Sequence, residues 1–404
     1  MAFKVSQGVT TVVTGNCGIS IAPLAAGAPL PAPLNLLDAP ADQRFGSLRA
    51  YFDALRERPA AVNVAALVGH TSLRVNTMPH LNRSATDAEV AAMRALLEQA
   101  LDDGAIGLST GTFYPPASAA STAELIGVGR ALSGRGAVYT THMRDESDRV
   151  MEALDESFHI GRELGVPVVI SHHKVSGRPN HGRSAETLPH IRRAMQCQCV
   201  ALDCYPYTAG STMIRTDAGM LDCRVVIASS APHPECAGRD LADIAAEWGV
   251  SRDEAARRLQ PGSAVYFLMD EADVQAIMAF DDTMIGSDGI PLGDKPHPRL
   301  WGTFPRVLGH YSRDLGLFPL ETAVWKMTGL TARNFGLHDR GTVAVGQAAD
   351  LVVFDAATVA DRAVYEAPTQ AAAGIDRVLV NGCVTWQGGG STGVRAGQVV
   401  TRRA

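Results

Sequence analysis

Short apolar runs rich in β-branched residues alternate with longer amphipathic stretches through most of this 404-residue chain, and this rhythm limits the fold more than any other feature. The strand-like runs are residues 8–14, 62–68, 105–109, 137–141, 166–171, 198–204 and 283–285. The helix-like stretches between them are residues 47–57, 86–103, 121–132, 147–164 and 184–195. Strands that alternate with helices at this spacing predict a parallel α/β fold with right-handed crossovers.

Polar residues follow the strand-like runs and do not precede them. Cys17, His142, His172 and Asp288 each stand just after such a run. In a (β/α)8 barrel the chemistry lies at the carboxyl ends of the strands, as this pattern requires. A doubly wound sheet places ligands at the same ends but uses only one or two loops, so the barrel is the favoured architecture.

Two segments depart from the rhythm. Residues 221–268 contain extra helix-like pieces and are interpreted as an insertion, so the barrel is predicted to span residues 1–335 with this insertion inside it. From Gly341 onward short strands and tight turns predict a small C-terminal β-sandwich segment over residues 336–404. Asn381-Gly382 is a strong signal for a β-hairpin turn within it.

Composition and charge restrict the classes of function that this chain can have. A net charge of −6 offers no basic face for nucleic acid. No apolar run approaches the about 18 residues that a membrane span needs. The amino terminus lacks the pattern of a signal peptide, and seven cysteines do not suggest a disulfide framework. A cytoplasmic protein that acts on a small molecule is therefore expected.

The residues after the strands indicate a metal site. Thiolate, imidazole and carboxylate are the ligands that zinc prefers, and Cys17, His142, His172 and Asp288 supply all three. The simpler alternative is that the two histidines are packed core residues. Their equivalent positions on neighbouring strands favour the metal. A rival structural zinc site built from the later cysteines is disfavoured, because the single residue between Cys197 and Cys199 is not the spacing of a zinc ribbon.

Several motifs resemble one family of enzymes. They are Gly15-Asn16-Cys17-Gly18 after its strand, Thr141-His142-Met143-Arg144, Ser171-His172-His173-Lys174, Tyr205-Pro206-Tyr207-Thr208, Ser287-Asp288-Gly289 and the closing Gly346-Gln347-Ala348-Ala349-Asp350-Leu351-Val352. Together they are similar to the N-acyl-D-amino-acid deacylases (D-aminoacylases) of the amidohydrolase superfamily, over almost the whole chain. The resemblance implies zinc-dependent hydrolysis of N-acyl-D-amino acids to a carboxylate and a free D-amino acid.

The resemblance also implies roles for individual residues. Cys17, His142 and His172 would bind one tightly held zinc, and Asp288 would act as the general acid/base beside a second, weaker metal position. The residues implied to hold the α-carboxylate of the substrate, or to line its pocket, are Lys174, Tyr205, Arg299, Tyr114 and Ser211. Arginine and lysine suit a carboxylate physically, and fixing that group on one side of the metal would select the D enantiomer.

The sequence departs from the family at its start. Members have a small β-sandwich segment and a first barrel strand with a His-x-His pair, and neither is found here. The expectation is a barrel that lacks its first strand, from a chain truncated at its amino terminus, with a second metal position that lacks two histidines. Two alternatives stay open: a cyclic amidase of the hydantoinase or dihydroorotase kind, and a non-catalytic fragment that binds zinc without turnover.

Overall fold

A computed structural model describes residues 1–27, 30–37, 40, 43–291, 293 and 295–402 of the chain. Within these residues the strands are β1 (Thr11–Thr14), β2 (Asn63–Gly69), β3 (Gly107–Gly111), β4 (Val138–His142), β5 (Val168–Ile170), β6 (Val200–Cys204), β7 (Gly210–Met213), β8 (Val225–Ser230), β9 (Gly262–Tyr266), β10 (Thr283–Ile285), β11 (Leu351–Phe354), β12 (Ile375–Val380), β13 (Cys383–Gln387) and β14 (Gly390–Ser391).

The α-helices of the described residues follow the predicted alternation. They are α1 (Ala2–Val5), α2 (Leu48–Glu57), α3 (His70–Thr77), α4 (Asp87–Asp102), α5 (Pro115–Ser118), α6 (Thr122–Gly129), α7 (Val150–Leu164), α8 (Ser184–Met195), α9 (Ala218–Leu221), α10 (Leu241–Trp248), α11 (Arg252–Leu259), α12 (Glu271–Ala279), α13 (Arg299–Arg306), α14 (Leu320–Met327) and α15 (Gly329–Phe335). A π-helical segment, Val307–Asp314, continues α13. No helix among the described residues is long and apolar enough to cross a membrane.

Seven parallel strands form the main sheet, in the order β1-β2-β3-β4-β5-β6-β10. Strands β2, β3 and β4 are buried along their whole length, as expected of strands in a parallel sheet that is covered on both faces. In the described residues β1 and β10 stand at the two edges of this sheet and do not pair with each other. All seven strands run in one direction, so their carboxyl ends gather at the same side of the molecule.

A three-stranded antiparallel sheet, in the order β7-β9-β8, interrupts the alternation between β6 and β10. Residues 210–213 pair with residues 263–266, so this excursion begins at β7 and earlier than the predicted boundary at Leu221. The sequence of β7, Gly-Ser-Thr-Met, lacks the alternation of a typical strand. Its pairing with β9 therefore depends on tertiary contacts that local sequence does not display.

The C-terminal segment forms one antiparallel sheet of four strands, β11 to β14. Asn381 and Gly382 make the turn between β12 and β13 with φ values of +48° and +81°, which confirms the predicted hairpin. Residues 403 and 404, at the end of the predicted segment, lie outside the described residues.

A buried amide network joins this C-terminal segment to the main sheet. Asn63, the first residue of β2, donates from its side-chain nitrogen to Asp350 Oδ2 at 2.8 Å and accepts from Asn381 Nδ2 at 2.7 Å. Arg340 also donates to Asp350, at 2.6 Å. Farther along, the backbone of Val64 bonds to that of Gln398 and Val400. Asp350 belongs to the closing superfamily signature, and its role here is to hold two sheets together.

Candidate metal centre

Three side chains with metal-ligand chemistry meet at the carboxyl ends of the parallel strands. Cys17 follows β1, His142 ends β4 and His172 follows β5. One potential ligand atom from each lies within 4.8 Å of the other two, and Cys17 Sγ is 3.2 Å from His172 Nε2. No other group of three or more candidate metal ligands occurs in the described residues. The predicted thiolate and the two predicted imidazoles are therefore neighbours.

Glycines allow the Cys17 loop to approach β3 closely. A Cβ atom added to Gly18 would lie 2.7 Å from the backbone nitrogen of Gly111, nearer than real side chains come. Gly111 is in turn paired in register with His142 on the next strand. The loop after β1 thus packs on the end of β3, and this contact brings the thiol beside the imidazole.

Left-handed backbone is concentrated at this site. Four non-glycine residues in the described part of the chain have φ between +40° and +54°, and three of them are Cys17, His172 and Asp288. This conformation costs an L-residue on the order of 1–2 kcal/mol and persists only where surrounding contacts enforce it. At His172 one such contact is Asp203, whose Oδ1 accepts the His172 backbone N–H at 2.9 Å. Because Asp203 is buried, its own pKa is raised to about 6.

The imidazole of His142 is suited to bind a metal ion. Its ring is buried, and neither ring nitrogen has a hydrogen-bond partner within the described residues. Burial lowers its pKa to about 3, which keeps the ring neutral at pH 7. The rings of Phe113 and Tyr114 lie against it, with centroids 5.2 Å and 4.9 Å away. A buried neutral nitrogen without a partner is costly, and a metal ion would satisfy it.

Cys17 also fits a metal, provided that it loses its proton. Burial raises the pKa of the thiol, so without a cation nearby the protonated form is favoured. A thiolate and two imidazoles form a donor set that zinc binds tetrahedrally, with one position left for water or substrate. The residues present therefore fit a zinc ion.

Asp288 lies outside the compact donor group and forms an ion pair with Arg299, whose Nη1 is 2.8 Å from Asp288 Oδ2. Although burial opposes ionisation, the charges of Arg299, His172 and Lys174 outweigh it and lower the pKa of Asp288. The aspartate is thus a carboxylate at neutral pH. Its predicted part in a second metal position stays a prediction.

The residues predicted to hold the substrate's carboxylate form one wall beside Asp288. The guanidinium of Arg299 lies 4.6 Å from the centre of the Tyr205 ring, and Lys174 Nζ lies 5.6 Å from it. Tyr114 accepts a hydrogen bond from Thr212 at 3.4 Å. Ser211 contributes its backbone carbonyl, which accepts from Arg299 Nη2 at 3.2 Å. These five residues are close in space, and Ser211 makes its contact through its backbone.

Two polar groups in this wall are unsatisfied. Arg299 Nε and Tyr205 Oη are buried and have no hydrogen-bond partner among the described residues. Both are hydrogen-bond donors, and a carboxylate supplies acceptors of matching geometry.

Sequence reasoning missed Glu146, which is buried among these residues. It accepts from Lys174 Nζ at 2.7 Å and lies 3.1 Å from His172 Nδ1. No spacing in the sequence marks it, because residues 143–149 form a loop and not a helix, so residues four apart are not expected to be neighbours. His70, which begins α3 after β2, is turned away from Cys17, His142 and His172, because its Nε2 contacts the buried Glu124 at 3.1 Å. Cys197 and Cys199 are exposed and take no part in the donor group.

The chain is similar to known proteins over most of its length. The model of the amidohydrolase family matches residues 218–386. A D-aminoacylase from Alcaligenes xylosoxydans xylosoxydans is 61% identical over 404 residues, which are all of this chain and 83% of that protein.

Two solved structures are similar throughout. A crystal structure of D-aminoacylase is 60% identical, with a TM-score of 0.97 over 99% of this chain and 84% of that one. The N-acyl-D-glutamate deacylase from Bordetella bronchiseptica, solved with zinc and a phosphonate mimic of the tetrahedral intermediate, is 47% identical. Its TM-score is 0.93, over 99% of this chain and 84% of that one. The main sheet and its helices are thus an amidohydrolase α/β fold.

Proposed function

The chain belongs to the N-acyl-D-amino-acid deacylase family of the amidohydrolases, and from this premise we propose that it hydrolyses the amide bond of N-acyl-D-amino acids in a zinc-dependent reaction. The observation that carries the proposal is the meeting of Cys17, His142 and His172 beside a buried cationic wall. The first group is suited to a metal and the second to a carboxylate. An N-acyl amino acid has both an amide to be activated and a carboxylate to be held.

Cys17, His142 and His172 would hold the zinc. When bound, zinc polarises a carbonyl oxygen and makes a water molecule more acidic. The raised pKa of Cys17 means that the thiol gives up a proton when it becomes a ligand. His142 is already neutral and needs no such step.

Asp288 is the residue that moves protons. Its lowered pKa keeps it ionised, so it is able to accept a proton from the attacking water. Once protonated, it gives that proton to the nitrogen of the departing D-amino acid. The ion pair with Arg299 holds the carboxylate at the edge of the site, at 2.8 Å.

The wall selects the substrate. Arg299 and Tyr205 offer their unsatisfied donors to the α-carboxylate, and Lys174 adds a second positive charge. Ser211 fixes Arg299 through its carbonyl, and Tyr114 closes the pocket against His142. When the carboxylate and the amide are both fixed, only one enantiomer can place the hydrogen and the side chain of its α-carbon without a steric clash with the pocket.

We propose one zinc ion held by Cys17, His142 and His172, because these residues supply three ligand atoms within 4.8 Å of one another. We also propose that the seven parallel strands belong to a (β/α)8 barrel whose first strand this sequence does not supply. Its unpaired edges, β1 and β10, support this arrangement. The C-terminal sheet would form one layer of a β-sandwich. The exposed side chain of Val353 on β11 supports a covering layer.

Hydrolysis of N-acetyl-D-amino acids and their L enantiomers, measured with zinc content, tests the proposal. We expect about one zinc per chain and turnover of the D series alone. Asp288→Asn should keep the zinc and lower kcat by about 10²–10⁴-fold, the usual contribution of a general base. Hydantoin and dihydroorotate serve as controls, and turnover of either in place of the acyl substrates would contradict the proposal. Zinc binding without any hydrolysis would support a non-catalytic chain.

A further inference from the structure

Glu146 is a buried carboxylate to which the proposed reaction assigns no role. It lies in the loop after β4, and its backbone carbonyl accepts from Ser176 N at 2.7 Å, which ties this loop to the one after β5. Its side chain is 9% exposed. A carboxylate buried to this extent is costly unless its oxygens are well paired.

The two carboxylate oxygens face the two metal-binding imidazoles. Oε1 lies 3.1 Å from His172 Nδ1, and Oε2 lies 3.6 Å from His142 Nε2. His172 turns its other nitrogen, Nε2, toward Cys17 at 3.2 Å. Nδ1 is therefore the outer nitrogen of that ring, on the side away from the thiol.

Carboxylates on the outer nitrogen of a histidine ligand have a known physical effect. A neutral imidazole that binds a metal through one nitrogen carries its proton on the other. A carboxylate that accepts this proton fixes the tautomer and the ring plane, and it makes the ligating nitrogen more basic. At His172 the 3.1 Å separation allows a hydrogen bond from Nδ1 to Oε1 when Nδ1 carries the proton. The Lys174 ammonium can only donate, so it then bonds to Oε1 and not to the protonated Nδ1. At His142 the 3.6 Å separation is too long for a hydrogen bond, and the neutral ring carries no charge to attract the carboxylate.

The same carboxylate also holds Lys174. Oε1 accepts from Nζ at 2.7 Å, and that ammonium lies 2.7 Å from His172 Nδ1. Lys174 belongs to the wall proposed to bind the substrate's α-carboxylate. Without Glu146 its charge would lose this buried counterion, and its position beside Tyr205 would no longer be fixed.

We propose that Glu146 is a positioning residue shared by the two halves of the site, orienting the metal-binding imidazole of His172 and anchoring Lys174 toward the substrate. The assignment to substrate rests on the proposed function, whereas the effect on metal affinity does not. Glu146 touches neither substrate nor reacting atoms in this scheme. Its removal therefore weakens metal binding and raises KM through the groups that it holds.

The variants Glu146→Gln, Glu146→Ala and Glu146→Asp test this proposal. Glu156→Gln is the matched control, because Glu156 is a part-buried carboxylate paired with Arg144 at 2.9 Å and has no contact with either histidine. Zinc affinity is measured by chelator competition with the metal alone. Absorption of the cobalt-substituted protein reports the thiolate and imidazole environment. Unfolding by urea identifies any variant that does not fold.

Glu146→Gln and Glu146→Ala should bind zinc about 10–100-fold more weakly, the usual effect of losing such a carboxylate. Their KM should also rise. Glu146→Asp should recover part of both losses, and Glu156→Gln should change neither. Unchanged zinc affinity in folded Glu146→Gln and Glu146→Ala would overturn the proposal, and so would an equal loss in Glu156→Gln. A wild-type chain that binds zinc but hydrolyses nothing would refute the proposed function and leave the comparison of zinc affinities decisive for Glu146.

Discussion

Glu124 offers the sharpest test of how buried charge supports this fold and its site. Its carboxylate is 1% exposed and contacts three groups: Arg74, His70 at 3.1 Å and the backbone nitrogen of Ala85 at 2.7 Å. Arg74 also donates to the carbonyl of Pro116 at 2.8 Å. Pro116 lies two residues beyond Tyr114, so the network supports the loop that carries the aromatic wall of the metal centre.

The size of the effect follows from the pKa of Glu124. Burial alone would raise it, but the hydrogen bonds from His70, Arg74 and Ala85 overcome burial and lower the pKa from 4.5 to about 2. Each unit is worth about 1.4 kcal/mol, so a difference of 2.5 units corresponds to about 3 kcal/mol. A carboxyl group whose pKa is lower in the folded state than in the unfolded state stabilises the fold at pH values above its unfolded pKa. That stabilisation is present above about pH 4.5 and is lost as the pH falls toward 2.

Glu124→Gln should therefore destabilise the protein by about 3 kcal/mol at pH 7, and by roughly half of that or less near pH 3. Urea unfolding followed by circular dichroism, at several values between pH 7 and pH 3, measures both quantities. Glu163→Gln is the control, because Glu163 is exposed on α7. A Glu124→Gln variant as stable as the wild type at pH 7, or a difference that does not shrink in acid, would refute the reasoning.

Three further predictions concern the metal centre. Because Cys17 has a left-handed backbone, the metal-free Cys17→Gly variant should be about as stable as Cys17→Ala, or up to about 1 kcal/mol more stable, although alanine is usually the more stabilising of the two residues. Urea unfolding measures both free energies. A more stable Cys17→Ala variant would show that the backbone at this position is not strained. Because burial raises the pKa of Cys17, zinc binding should release a proton, and zinc affinity should fall about tenfold for each pH unit below that pKa. Calorimetry in buffers of different ionisation enthalpy measures the proton release. A zinc affinity that does not change between pH 6 and pH 8 would contradict this prediction. Arg299→Lys should raise KM by about 10–100-fold, because lysine cannot replace the fork of donors that arginine offers to a carboxylate. Steady-state kinetics on N-acetyl-D-amino acids measure KM, with Arg306→Lys as the control. An unchanged KM in Arg299→Lys would show that Arg299 does not hold the carboxylate.

Residue type and position relative to the strands were enough to predict that three side chains suited to a metal lie together. Cys17, His142 and His172 were found because carboxyl ends of parallel strands must meet at one edge of a sheet. That inference needs only the strand rhythm and the chemistry of the residue that follows. The turn at Asn381 was equally readable, because it depends on neighbours in sequence.

Features that depend on distant contacts could not be read. Glu146 turns back toward two histidines because its loop is bound to Ser176, and no spacing rule encodes that contact. The left-handed backbone at His172 is enforced by packing and by Asp203, whereas sequence signals such a backbone only through glycine or asparagine. The start of the inserted sheet at Gly210 was missed for the same reason, since the pairing of β7 is fixed by β9.

The amide network around Asn63 has a consequence for how the protein is made. Asn63 precedes its partners Asp350, Asn381 and Gln398 by 287, 318 and 335 residues, so these partners leave the ribosome much later. Until then the side chain of Asn63 lacks them, and unpaired groups beside an apolar sheet are prone to non-native association. Docking of the C-terminal segment on the main sheet is therefore a late event in biosynthesis, and a chain that stops within the last strands would leave Asn63 without its partners.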